Sequence, residues 1–109
     1  MSVSLSHEAF LAQLHTKFQL QATAAASIEV ELINISSLLR TGKQEVFSIT
    51  MRGPGSFVLE QRTFQCENKE MGTFDLFLVP IAQDSQGVYY EAVFNRLVSS
   101  NGSKQIENP

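Results

Sequence analysis

From Phe18 to Phe94 the apolar residues of this chain recur with a period of two, interrupted by short segments rich in turn formers. Phe18, Leu20 and Ala22 alternate with Lys17, Gln19 and Gln21. Thr23 to Ser27 reads as a turn, and Ile28, Val30 and Leu32 then alternate with Glu29 and Glu31. That spacing predicts a strand with one wet face. The phase slips at Ile33 and Ile35, which predicts a bulge near Leu32–Ile33. Phe47, Ile49 and Met51 form the next set after a turn around Gly42. Arg52-Gly53-Pro54-Gly55 breaks it, because Pro54 has no amide proton to donate. A loop to about Glu60 is followed by a short strand over Thr63 to Glu67, with Phe64 and Cys66 on one face.

Phe74 to Ile81 is almost continuously apolar, the pattern of a strand covered on both faces. Asp75 is its exception, and Pro80 limits pairing at its end. Gln83 to Gly87 carries turn chemistry, after which Val88, Tyr90, Ala92 and Phe94 alternate with Tyr89, Glu91 and Val93. Ahead of all these strands the period is helical. Phe10, Leu11 and Leu14 make one stripe, Ser6 is an N-cap, and Leu5 and Phe10 occupy the positions of a hydrophobic staple. A short helix ending around His15 to Lys17 follows. The expected fold is mainly β: one short N-terminal helix, then about six antiparallel strands forming a small barrel or tight sandwich, with the helix available to plug an open end. Residues 1–98 form one domain on this reading, and the polar, aperiodic residues 99–109 form a disordered tail.

Composition narrows the functional classes. The 109 residues are 43% hydrophobic and carry a net charge of −3, enough for one core. Eight basic residues scattered among eleven acidic ones leave no basic face, which argues against nucleic acid and against an anionic membrane. The single cysteine, Cys66, excludes an intrachain disulfide and cysteine-rich zinc sites. The first ten residues lack the basic and apolar regions of a signal peptide, and no apolar run approaches a membrane span. A cytoplasmic protein is expected.

Candidate chemistry is sparse. His7 and His15 lie eight residues apart, about 12 Å along a continuous helix, too far to share one metal ion. Cys66 has acidic neighbours, Glu67 and Glu70, which raise a thiol pKa, so it reads as a core thiol. Glu29 and Glu31 share a strand face that reads as solvated. The Arg52-Gly53-Pro54-Gly55 segment has neither the spacing of a phosphate loop nor a helix after it. Arg52 is expected to pair with a carboxylate such as Glu91 or to read a partner. Tyr89 lies on the face opposite Tyr90 and Phe94, which makes it the best candidate for an interface anchor. No cofactor loop or metal set is recognisable, so the expected catalytic, cofactor and metal residues are none. The candidate interaction residues are Arg52, Tyr89 and Glu91.

The segments FSITMRGP (Phe47 to Pro54), QRTFQCEN (Gln61 to Asn68), MGTFDLFLVP (Met71 to Pro80) and YEAVFN (Tyr90 to Asn95) together resemble a bacterial family of roughly 100-residue proteins known only as a domain of unknown function. The chain departs from that pattern at Arg62, where a turn glycine is common, and at Met71, where leucine is common. The resemblance implies a short helix followed by strands and no established activity. It carries an association with gene clusters encoding phage-tail-like fibres and collars. These readings lead to the expectation of a non-enzymatic module that binds a protein partner or itself, as an accessory or structural component of a phage or phage-like particle. The alternative is a small-ligand-binding barrel.

Overall fold

The computed structural model describes residues 5–97. The expected tail over residues 99–109 lies outside the described residues. The chain starts with one helix, α1 (His7–Leu11), and continues as seven strands: β1 (Lys17–Thr23), β2 (Ala26–Ile35), β3 (Leu39–Thr41), β4 (Gln44–Gly53), β5 (Arg62–Asn68), β6 (Gly72–Asp84) and β7 (Gly87–Leu97).

Ser6 caps α1 as its sequence position suggests, its hydroxyl accepting from the Ala9 amide at 3.0 Å. The helix ends at Leu11, earlier than the expected stop near His15 to Lys17. The reason is competition for the backbone. His15 donates to the Leu32 carbonyl at 2.7 Å and Leu32 donates back to Thr16 at 3.1 Å. The chain has therefore joined the β2 ladder before another helical turn can form. His15 makes this corner with a φ of 71°, a conformation that few non-glycine residues adopt.

Every strand pairing is antiparallel. The strands follow the order β2-β1-β5-β6-β7-β4, and β4 pairs back onto β2, so six strands close into a barrel. Closure removes most of the free edges that a seven-stranded sheet would expose. The seventh strand, β3, is a three-residue addition that forms a hairpin with the start of β4. It was not distinguishable from the Gly42 turn by its pattern. The expected bulge is present: between Leu32 and Asn34 the β2–β4 register shifts, so Ile33 is the extra residue. A second bulge at Ile81 separates Pro80↔Tyr90 from Ala82↔Tyr89, which lets a strand containing proline stay in the ladder.

Alternation sends one residue set inward. Phe18, Leu20, Val30, Leu32, Ile49, Met51, Phe64, Cys66, Leu78, Val88 and Tyr90 are buried in a continuous core. β6 is not covered on both faces as its apolar run suggested. Phe74, Leu76 and Leu78 point inward, while Asp75 is exposed and Phe77 is 52% exposed. No other element among the described residues lies over the outside of the barrel, so an apolar outer residue simply meets solvent.

β6 and β7 diverge along their length. β6 pairs with β7 from Val79 to Asp84 and with β5 from Gly72 to Leu78. Beyond Glu91, β7 pairs with β4 alone. Phe10 of α1 packs against the inward-facing rings on either side of this wedge, its ring centroid 6.0 Å from Phe74, 5.4 Å from Phe94 and 6.4 Å from Phe47. The helix thus plugs this end of the barrel.

Candidate functional site

β4 and β7 form the longest ladder in the molecule, paired from Gln44↔Leu97 to Gly53↔Val88. Its inner face is core. Its outer face carries Val46, Ser48, Thr50 and Arg52 on β4 and Tyr89, Glu91, Val93, Asn95 and Leu97 on β7. The three residues singled out from the sequence all lie here. Arg52 and Tyr89 are cross-strand partners, and Glu91 is one outward step along β7, opposite Thr50 and Val79.

The partner of Arg52 differs from the expectation. Its guanidinium reaches Glu31 at 3.2 Å and Gln86 at 3.3 Å, not Glu91. Barrel closure is the cause, because Glu31 of β2 stands directly opposite Arg52 in the β2–β4 register. Glu31 is half-buried rather than part of an open solvated face, and its other oxygen lies 4.0 Å from His15 Nδ1. Tyr89 donates to both carboxylate oxygens of Asp84, at 3.1 and 2.9 Å. The Gln86 amide holds Asp84 on its other side at 2.8 Å. These bonds keep the Asp84 carboxyl below its ordinary value, the Gln86 amide contributing most, and they raise the Tyr89 phenol above its own. Tyr89 is thereby held as a hydroxyl donor to Asp84.

Next to this polar row the same face becomes apolar. Leu39 pairs with Val46, Ser48 with Val93 and Gln44 with Leu97. Leu39, Val93 and Leu97 are 61%, 62% and 79% exposed. A shallow groove of about 280 Å³ runs between Leu39, Val46, Ser48 and Val93, with Glu91 at its rim. The outer ribbon thus grades from an organised Arg–Tyr–carboxylate array to an apolar strip.

Behind the ribbon, Glu45 faces inward at the centre of a second charged cluster. Glu45 is 9% exposed and binds Arg40 at 2.7 Å and Arg96 at 3.2 Å. Arg96 also donates to the Leu5 carbonyl at 2.8 Å and lies 5.5 Å over Phe47, which stacks on Phe94 at 4.7 Å. The two arginines hold the Glu45 carboxyl below its ordinary value against the cost of burial, Arg40 contributing most. Glu45, Arg96, Asp84 and Glu31 were not recognised as partners from sequence. Only Asp84 had a readable signal, since a hairpin turn over Gln83 to Gly87 folds it back towards Tyr89.

The remaining candidates offer little reactivity. Cys66 is buried, with its thiol pushed up to about 12, chiefly by desolvation, so it holds almost no nucleophilic thiolate. His7 Nε2 donates to the Ser36 carbonyl at 2.9 Å. Among the described residues no group of three or more His, Cys, Asp or Glu side chains is placed to hold a metal ion. Among the same residues no helix is long and apolar enough to cross a membrane.

Fold and surface together define a small side-chain-filled β-barrel with one organised outer ribbon. The profile of a family described as a domain of unknown function, DUF6916, matches residues 5–94, and the chain belongs to that family. No curated protein and no solved structure matches the chain.

Proposed function

We propose that this protein is a non-enzymatic interaction or assembly module that engages a protein partner, or itself, through the outer face of β4 and β7. The observation that carries the reading is the juxtaposition of Arg52 and Tyr89 with exposed apolar residues on one continuous face. Arg and Tyr are favoured interface anchors. Here each is already oriented by a carboxylate, Glu31 or Asp84, so little side-chain entropy remains to be lost on docking. The setting we propose is a phage or phage-tail-like particle assembled in the cytoplasm, and its support is the motif resemblance.

Light scattering after size exclusion across a concentration series, paired with capture from the native host, tests the reading. Arg52→Ala and Tyr89→Ala are each expected to weaken self-association or partner capture about tenfold, an anchor-sized loss, with an unchanged circular dichroism spectrum. Unaltered assembly and capture in both variants would remove these residues from the interface. Among the described residues the alternative, a small-ligand binder, is supported by the groove beside Glu91, since the barrel interior is filled by core side chains. Its volume of about 280 Å³ falls at the lower limit of ordinary ligand pockets. Thermal stabilisation by one member of a metabolite panel, lost in Glu91→Gln, would favour that alternative.

A further inference from the structure

We infer that the free edge of β7 is a self-pairing surface, on which a second copy of this chain adds its own β7 antiparallel about a two-fold axis. The inference rests on the assembly reading and adds to the outer face a second contact, at the strand edge, whose occupant is another copy of this chain. β7 leaves β6 after Glu91, so Ala92 to Leu97 is bonded along one side only, to β4. Among the described residues no other backbone hydrogen bond reaches this stretch. A strand edge with an unpaired row of amides and carbonyls is a template for another strand.

The sequence of the edge selects a second copy and a register. The stretch has no proline, no lysine and no bulge to block addition. β6 covers the strand up to Glu91, which limits pairing to the residues beyond it. Centring the two-fold on Asn95 sets Val93 opposite the other copy's Leu97, and Leu97 opposite its Val93. Both residues are among the most exposed apolar side chains of the molecule, and cross-strand apolar pairs are the stabilising unit of a sheet. On the inner face the same register sets Phe94 against Arg96, repeating between copies the contact that Arg96 already makes with the Phe94 ring at 5.8 Å. Centring on Arg96 would instead set like charges directly opposite. The pairing is isologous and closes at a dimer. It leaves the Arg52–Tyr89 row outside the shared edge.

Two variants test it on the full chain. In Val93→Lys/Leu97→Lys, four lysines face one another across the axis, and the dimer is expected to weaken at least about tenfold by sedimentation equilibrium. Mixing it with Val93→Glu/Leu97→Glu is expected to restore a heterodimer, which a misfolded variant would not do. Asn95→Cys places two thiols directly opposite, within disulfide reach. It is expected to give a cross-linked dimer under oxidised glutathione, while the exposed control Gln65→Cys stays monomeric. A self-associated species that survives the four lysines, with no cross-link at position 95, overturns the edge assignment and leaves the assembly reading intact. A monomer at every concentration also overturns the edge. The assembly reading falls with it only if partner capture is insensitive to Arg52→Ala and Tyr89→Ala.

Discussion

Glu45 is a carboxylate whose chemistry is set by its two arginine neighbours. Its folded carboxyl is held below the ordinary value of 4.5, so the unfolded chain binds its proton more readily. The resulting stability is fully present above the unfolded value and is lost as pH falls through the lowered folded value. Urea unfolding from neutral pH down through the carboxylate range is expected to show this acid limb. Glu45→Gln should flatten it while lowering stability at neutral pH, because Arg40 and Arg96 lose their shared carboxylate. Gly87 is a second single-residue constraint. It sits at a φ of 146°, and an added Cβ would meet the Gly53 carbonyl oxygen. Gly87→Ala should cost about 1–3 kcal/mol from backbone strain alone, and more from the collision, read as a fall in thermal midpoint. The sequence placed Gly87 in a turn but not beside Gly53, since that approach depends on β4 and β7 sharing a ladder. Glu45 looked like any polar residue near Gly42. Its inward direction follows from alternation with Phe47, and its partners come from residues as distant as Arg96.

Among the elements, α1 is the clearest case of tertiary support. Five residues cannot hold a helix in water. What holds α1 is the Ser6 cap and Phe10, which is fully buried among Phe47, Phe74 and Phe94. Phe10→Ala is expected to destabilise the protein by about 3–5 kcal/mol, measured by denaturant unfolding. Ser6→Ala should cost about 1 kcal/mol. The larger first effect would show that the helix serves as a plug for the barrel end rather than as an autonomous element. The cap and the apolar stripe were legible in the chain, and so was the helix. Its end was not, because His15 and Thr16 are drawn into hydrogen bonds with Leu32. The strands divide in the same way. β4 continues through Arg52 to Gly53, within the expected breaker, since β7 supplies a partner for every residue, and it stops only at Pro54. In β6, Phe77 reads as a core residue from its apolar neighbours, yet it faces solvent because no described element covers the outer surface there.

For the whole molecule, the decisive event is the pairing of β4 with β2, which turns a sheet into a barrel. It explains why Arg52 meets Glu31 rather than Glu91. It also makes the expected alanine effects at Arg52 and Tyr89 surface effects, since neither side chain enters the core. The divergence of β6 from β7 leaves an opening in that closure, and the inferred dimer is placed there. Antiparallel strands, an N-terminal helix, most turns, the Leu32–Ile33 bulge and the inward set from Phe18 to Tyr90 were determined by the sequence itself. Local periodicity, proline and glycine act over a few residues and leave a direct trace in the chain. Strand order, the closing pair, the short β3 hairpin, the Glu45 cluster and the edge of β7 that no described strand covers were decided only by tertiary structure. Each depends on which strands meet across long loops, and one period of two serves a barrel, a sandwich or an open sheet equally well.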